Sequence, residues 1–149
     1  MKIGFTGTRQ GLTEQQVATL CAYLHRAREF HHGACRGADA EAVGLLRSMS
    51  HVYRIVAHPG VSAKGGPNDD RDADAVAASD VVLPEQTHFA RNRDIVAAAD
   101  LVVGCPLAME ELPGGGTWFT LRHARDKARK PTVCIWPDGT VAAWNGAEA

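Results

Sequence analysis

What this chain has little of sets its limits. Its four cysteines, Cys21, Cys35, Cys105 and Cys134, stand far apart and form no C-x-x-C pair. That pattern excludes the usual zinc spacings and a disulfide framework, and leaves small core residues of a reducing compartment. No apolar run is long enough for a membrane span, and Met1-Lys2 passes directly into Ile3-Gly4-Phe5 without a signal-peptide pattern. A cytoplasmic protein with no membrane partner is expected. Neither charge sign dominates, with 16 Lys plus Arg against 17 Asp plus Glu and a net charge of -1. This excludes a protein that coats nucleic acid through bulk charge, while leaving room for a local basic patch. His88 and His123 are isolated, and neither a metal-ligand spacing nor a nucleophile, base and orienter series is visible. No metal and no cofactor are expected.

What is present suffices for one domain over residues 1–149, since 45% of the chain is hydrophobic and a two-sided core can be filled. Lys2 to Thr6 reads as a strand and Gly7 to Gly11 as a polar turn. Thr13 with Gln16 three residues on makes a capping box before a helix whose apolar stripe is Val17, Leu20, Cys21 and Leu24. Gly33 to Cys35 reads as a brief second strand, Arg36 to Asp39 as a turn, Ala40 to Met49 as a helix, and Val52 to Ala57 as a third strand. Residues 58–80, with Pro59-Gly60, Lys64-Gly65-Gly66-Pro67 and a charged run, form a long loop, a candidate lid, with a short helix at Ala73 to Ala78. Val81 to Pro84 is a short extended piece, Thr87 to Ala99 a helix, Leu101 to Gly104 a fourth strand, Thr117 to Arg129 a helix and Pro131 to Trp136 a fifth strand. Near-continuous apolar strands alternating with helices predict an α/β fold, a mostly parallel sheet covered on both faces.

The polar and glycine-rich turns all fall after strands, on the edge where such sheets bind ligands. Pro113-Gly114-Gly115-Gly116-Thr117 opens a helix after a buried strand. Adjacent glycines let amides converge on an anion, and the helix start adds positive charge, so Gly114, Gly115, Gly116 and Thr117 are phosphate-binding candidates. The first turn lacks G-x-G-x-x-G, so a conventional NAD site is not expected. Its Gly7, Thr8 and Arg9 instead offer amides, a hydroxyl and a guanidinium to a phosphate or ribose, though Arg9 equally fits a solvated turn. Arg36 and Gly37 fall in the second turn, where Asp39 suits a helix N-cap or a catalytic role. Arg91 and Asn92 begin the fourth helix pattern; Arg91 and Arg93, two apart, do not share a face. Glu111, just before the glycines, is the other candidate catalytic carboxylate beside a solvated role.

Four segments in order resemble the SLOG superfamily: Thr6-Gly7-Thr8-Arg9, Gly33 through Asp39, Arg91-Asn92-Arg93-Asp94-Ile95-Val96 before Ala99-Asp100, and Gly115-Gly116-Thr117-Trp118 to Ala124. The chain is similar to the small single-domain YspA-type branch, related to the Lonely Guy phosphoribohydrolases and DNA-processing protein A. The resemblance implies a Rossmann-like three-layer sandwich, a bound nucleotide or nucleotide-derived ligand, and a homo-oligomer, commonly a dimer. Lonely Guy enzymes cleave the N-glycosidic bond of nucleoside 5′-monophosphates with an arginine nine residues before the aspartate that opens the next strand, as Arg91 stands before Asp100. Their glutamate, three residues after the motif threonine, is Thr120 here, and the glycine loop is one residue shorter. The implied function is therefore a nucleotide sensor or nucleotide-processing protein, with the N-glycosidase as the alternative. Single-stranded DNA binding ranks last, because 6% aromatic residues and balanced charge suit a stacking groove poorly.

Overall fold

The computed structural model describes residues 1–51, 53–62 and 70–149. A seven-stranded sheet forms its middle layer, in the order β5-β3-β2-β1-β7-β8-β9. The strands are β1 (Lys2–Gly7), β2 (Glu29–His32), β3 (Arg54–Ala57), β5 (Val81–Val82), β7 (Leu101–Cys105), β8 (Thr132–Ile135) and β9 (Val141–Trp144). All neighbours run parallel except β9, which returns antiparallel to β8. β7 and β8 are buried along their whole length, as strands covered on both faces must be, and this explains their unbroken apolar character. A separate parallel pair joins β4 (Gly60–Val61) to β6 (Gln86–Thr87).

Helices α1 (Glu14–Leu24) and α2 (Ala38–Arg47) cover one face, packing Leu20, Leu24, Val43 and Leu46 on Ile3, Phe5, Phe30, Ile55 and Val103. Helix α4 (His88–Ala98) and helix α5 (Gly116–Arg122) cover the other, through Val96 on Val102 and through Trp118 and Leu121 on Cys134. The Rossmann-like three-layer α/β arrangement is the one expected. Among the described residues no helix is long and apolar enough to cross a membrane. The predicted capping box forms: Gln16 N donates to Thr13 Oγ1 at 3.0 Å and Thr13 N to Gln16 Oε1 at 3.1 Å. Gln16 Nε2 then donates to the carbonyls of Pro106 and Ile135, so the cap also ties α1 to the ends of β7 and β8.

Several boundaries differ from the sequence reading. The second strand is Glu29–His32, not Gly33 to Cys35, where Ala34 sits at φ 57 and leaves the extended region. Adjacent histidines look unlike a buried strand, yet each is satisfied: His31 bonds Glu29 and His58, and His32 bonds Ser79 and the Ala34 amide. Helix α2 starts two residues early, and α5 passes at His123–Lys127 into a π-helical turn that ends before Arg129 at φ 54. Strand β9, which the sequence did not suggest, is a sheet edge whose pairing with β8 is set by the Pro137-Asp138-Gly139 turn. Within the expected long loop, β4 and the expected short helix, α3 (Ala73–Ala77), form, and the extended piece after it is β5, whereas residues 63–69 of the candidate lid, and Val52 of the third strand, lie outside the described residues.

Gly37 shows how closely the turns at this edge pack. It has φ 81, and a Cβ there would lie 2.3 Å from the Arg9 carbonyl oxygen. Gly37→Ala should therefore destabilise the fold by about 2 kcal/mol or more, read from urea unfolding midpoints. Gly114→Ala, where a Cβ meets nothing within 4 Å, should leave the midpoint unchanged.

Candidate functional site

Strand order reverses at β1: β2 lies on one side and β7 on the other. The loops leaving these strands therefore diverge and open a crevice beyond their carboxyl ends. A cavity of about 670 Å³ fills it, within the size range of small-molecule sites. The first turn contributes Thr6 to Gln10, the second Gly33, Cys35 and Asp39, helix α4 His88, Phe89, Arg91 and Asn92, and the last loop and α5 Pro113 to Phe119 with Arg122. Of the residues proposed from sequence, Gly7, Thr8, Arg9, Asp39, Arg91, Asn92, Gly114, Gly115, Gly116 and Thr117 all line this cavity.

The first turn is fastened by its backbone. Thr8 N donates to the Cys105 carbonyl at 3.1 Å, and the Thr8 carbonyl accepts from Ala38 N at 3.0 Å. Thr8 Oγ1 accepts from Gln10 N, so its hydroxyl serves the turn. Gly7 permits this junction, because a Cβ there would lie 2.5 Å from that of Ala38. Arg9 is about half exposed, with Nε 2.5 Å from Asp70 Oδ2, a carboxylate that is itself buried. Arg9 also lines the cavity.

Arg91 is 4% exposed, and all five of its donors have acceptors. Nε donates to Asn92 Oδ1 at 2.7 Å, and Nη1 to the carbonyls of Gly33 at 2.6 Å and His58 at 3.0 Å. Nη2 reaches His88 Nδ1 at 3.2 Å and Cys35 Sγ at 4.0 Å. An arginine only donates, so His88 Nδ1 accepts and that ring is neutral. The long sulfur contact is the weakest of the set and the one a ligand oxygen would most readily replace. Arg93 is exposed and lies outside the cavity lining.

Asp39 does not cap its own helix, the role the sequence suggested. Its Oδ2 accepts from Gly33 N at 3.1 Å and Cys35 N at 3.2 Å, closing the loop that precedes α2. The second turn thus needs a carboxylate more than the helix does, and Gly37 provides the N-cap without a side-chain bond. Burial pushes the Asp39 carboxyl up to about 6, against the pull of Arg91 and of the two amides. Burial likewise pushes the Cys35 thiol up to about 12, which keeps it from acting as a nucleophile at neutral pH.

The glycine loop lines the cavity. Gly115, at φ 92 and ψ 152, precedes Gly116 as the first residue of α5, and no side chain caps this helix. Thr120, where the Lonely Guy enzymes have a glutamate, is fully buried and donates from Oγ1 to the Gly116 carbonyl at 2.9 Å, so it faces away from the cavity. Glu111 lies outside the lining: Arg125 Nη1 holds its Oε1 at 2.8 Å and Arg122 Nη1 its Oε2 at 3.3 Å. Arg36 and Gly37 also lie outside it; the Arg36 amide donates to the Asp70 carbonyl, and Gly37 supports the Arg9 turn. Among the described residues Asp39 is the one lining carboxylate, set against Arg9, Arg91 and Arg122.

Sequence reasoning missed the apolar wall of the cavity, Leu107, Leu112, Phe89 and Phe119. The placement of Phe89 two residues before Arg91, and of Phe119 two after Thr117, was the available signal. It also missed the hydrogen-bonded chain Glu29–His31–His58 beneath α4, with both links at 2.7 Å. No group of three or more metal-ligating side chains suited to a metal occurs among the described residues.

Comparison with solved structures finds a structural-genomics protein, TM1055, whose X-ray structure superposes with a TM-score of 0.57. The two chains are 16% identical, and the match covers 88% of this chain and 71% of that one. This likeness supports the Rossmann-like fold. No family model and no curated protein sequence matches the chain.

The raised Asp39 pKa has a sign that can be measured. A carboxyl that titrates near 6 in the folded protein and near 3.9 unfolded holds more protons when folded between these values. Wild-type stability should therefore fall, relative to the uncharged Asp39→Asn variant, as pH rises from about 4 to about 7. The relative change should be roughly 2–3 kcal/mol, measured by urea unfolding of both proteins across that range.

Proposed function

We propose that this chain is a SLOG-type protein that binds a nucleoside phosphate in the crevice between β1 and β7, as a sensor or nucleotide-processing protein. The observation that carries the reading is the uncapped Gly115-Gly116-Thr117 start of α5, which faces the same cavity as Arg9 and Arg91. Converging amides, a helix start and guanidinium groups all favour negative charge at that place. The resemblance of the four sequence segments to the SLOG superfamily points to the same ligand class, with the phosphate on the glycine loop.

The test is calorimetry with adenosine monophosphate. Gly115→Val should abolish measurable binding by forcing the loop from φ 92 while leaving the circular dichroism spectrum intact. Undiminished affinity in this variant would remove the glycine loop from the site.

A second reading, N-glycosidase action on nucleoside monophosphates, is favoured by Asp39 alone, a buried carboxyl in the cavity with a pKa near neutrality and hence suited to proton transfer. Against it stands Thr120, whose hydroxyl carries no charge to stabilise an electron-deficient sugar and which turns back onto its own helix. Loss of one such electrostatic group commonly costs about 10²–10³ in rate. Adenine release from adenosine monophosphate, followed by chromatography, should accordingly be slow or absent. Rapid release that disappears in Asp39→Asn would replace the sensor reading with the enzyme.

A further inference from the structure

A phosphate site accounts for the polar lining of the cavity and leaves its apolar wall unexplained. Phe89, on the first turn of α4, is 55% exposed, although large apolar side chains left in water usually mark a contact surface. Its ring centroid lies 4.4 Å from that of Phe119 on α5, with 44° between the planes. Phe119 also lies parallel to His123 within 6°, at 6.3 Å. The rings are thus fixed from two helices before any ligand arrives, which lowers the entropy lost on stacking. Leu107 and Leu112 extend the same wall. Arg122, the cation beside it, is engaged with the Leu112 and Pro113 carbonyls.

Thr117, in the phosphate loop, and Phe119 both line this one cavity, as the two ends of a nucleotide would require. Resting on the phosphate reading above, we propose that Phe89 and Phe119 form the base-stacking platform of this site. Its ligand class is a nucleotide, with phosphate on the glycine loop and the face of its base on these rings. The polar and apolar parts of the cavity lining match the two ends of such a molecule. A sugar phosphate or inorganic phosphate matches only one of them.

The experiment compares adenosine monophosphate with ribose 5-phosphate by calorimetry, for wild type and Phe89→Ala, with the protomer number of each measured by sedimentation. Stacking on an aromatic platform should make wild type bind the nucleotide about tenfold or more tightly than the sugar phosphate. Phe89→Ala should remove most of that advantage and leave ribose 5-phosphate affinity unchanged. Phe89 is exposed, so the variant should fold, which a thermal melt checks. Equal affinities in wild type would overturn the platform while leaving the phosphate reading in place. Absence of binding by both ligands would overturn the two together. A variant that changes protomer number while keeping the nucleotide preference would assign the rings to a second copy of the chain, and the platform would again be overturned.

Discussion

The Arg91 guanidinium is the interaction on which the site edge of this molecule depends. A buried cation is tolerated only when its donors are answered, and here the answers come from three places: Asn92 on its own helix, the Gly33 carbonyl after β2, and the His58 carbonyl after β3. One side chain thereby pins α4 across the ends of two parallel strands. Gly33 is glycine for the same reason, since a Cβ there would lie 2.7 Å from Arg91 Nη1. Asp39 belongs to this arrangement as well. Its carboxylate is held by the Gly33 and Cys35 amides and feels the pull of the guanidinium. The arginine is therefore part of the scaffold first, and offers a ligand only the edge at Nη2.

The same economy of partners explains how polar residues are carried in β2. His32 accepts from the Ala34 amide at Nδ1, which fixes its other nitrogen as the donor to Ser79 Oγ. Burial pushes His32 down to about 3 and His58 to about 4, so both rings are neutral at physiological pH. His31 joins Glu29 to His58 in a chain where each short contact carries one proton. Three histidines thus stay in the interior without charge, because every buried nitrogen in these contacts faces a group that complements it.

Beyond this scaffold, the cavity brings two chemistries together. Cationic and amide groups gather where β1, β2 and α5 converge, and exposed aromatic and aliphatic side chains gather where α4 and the loop after β7 reach solvent. Thr120 contributes to neither, because its side chain satisfies its own helix and is sealed from the cavity. Glu111, the nearest carboxylate in sequence to the glycine loop, is neutralised on the outer surface by Arg122 and Arg125.

By itself the sequence determined the alternation of strands and helices, the capping box at Thr13 and Gln16, and the gathering of glycine-rich turns on one edge. These features follow from local periodicity and turn chemistry, which act over a few residues. It also named ten of the residues that line the cavity, because glycines, hydroxyls and arginines placed after buried strands leave few other roles. Tertiary structure alone decided that β2 is Glu29–His32, since its histidines become strand residues only when Glu29, His58 and Ser79 arrive from elsewhere to satisfy them. It also decided that Asp39 ties a loop rather than capping its helix, that Arg91 is buried while Arg93 is exposed, and that Phe89 meets Phe119. Each of these pairs groups far apart in the chain or chooses between neighbours, and local sequence carries no record of which partner will be near.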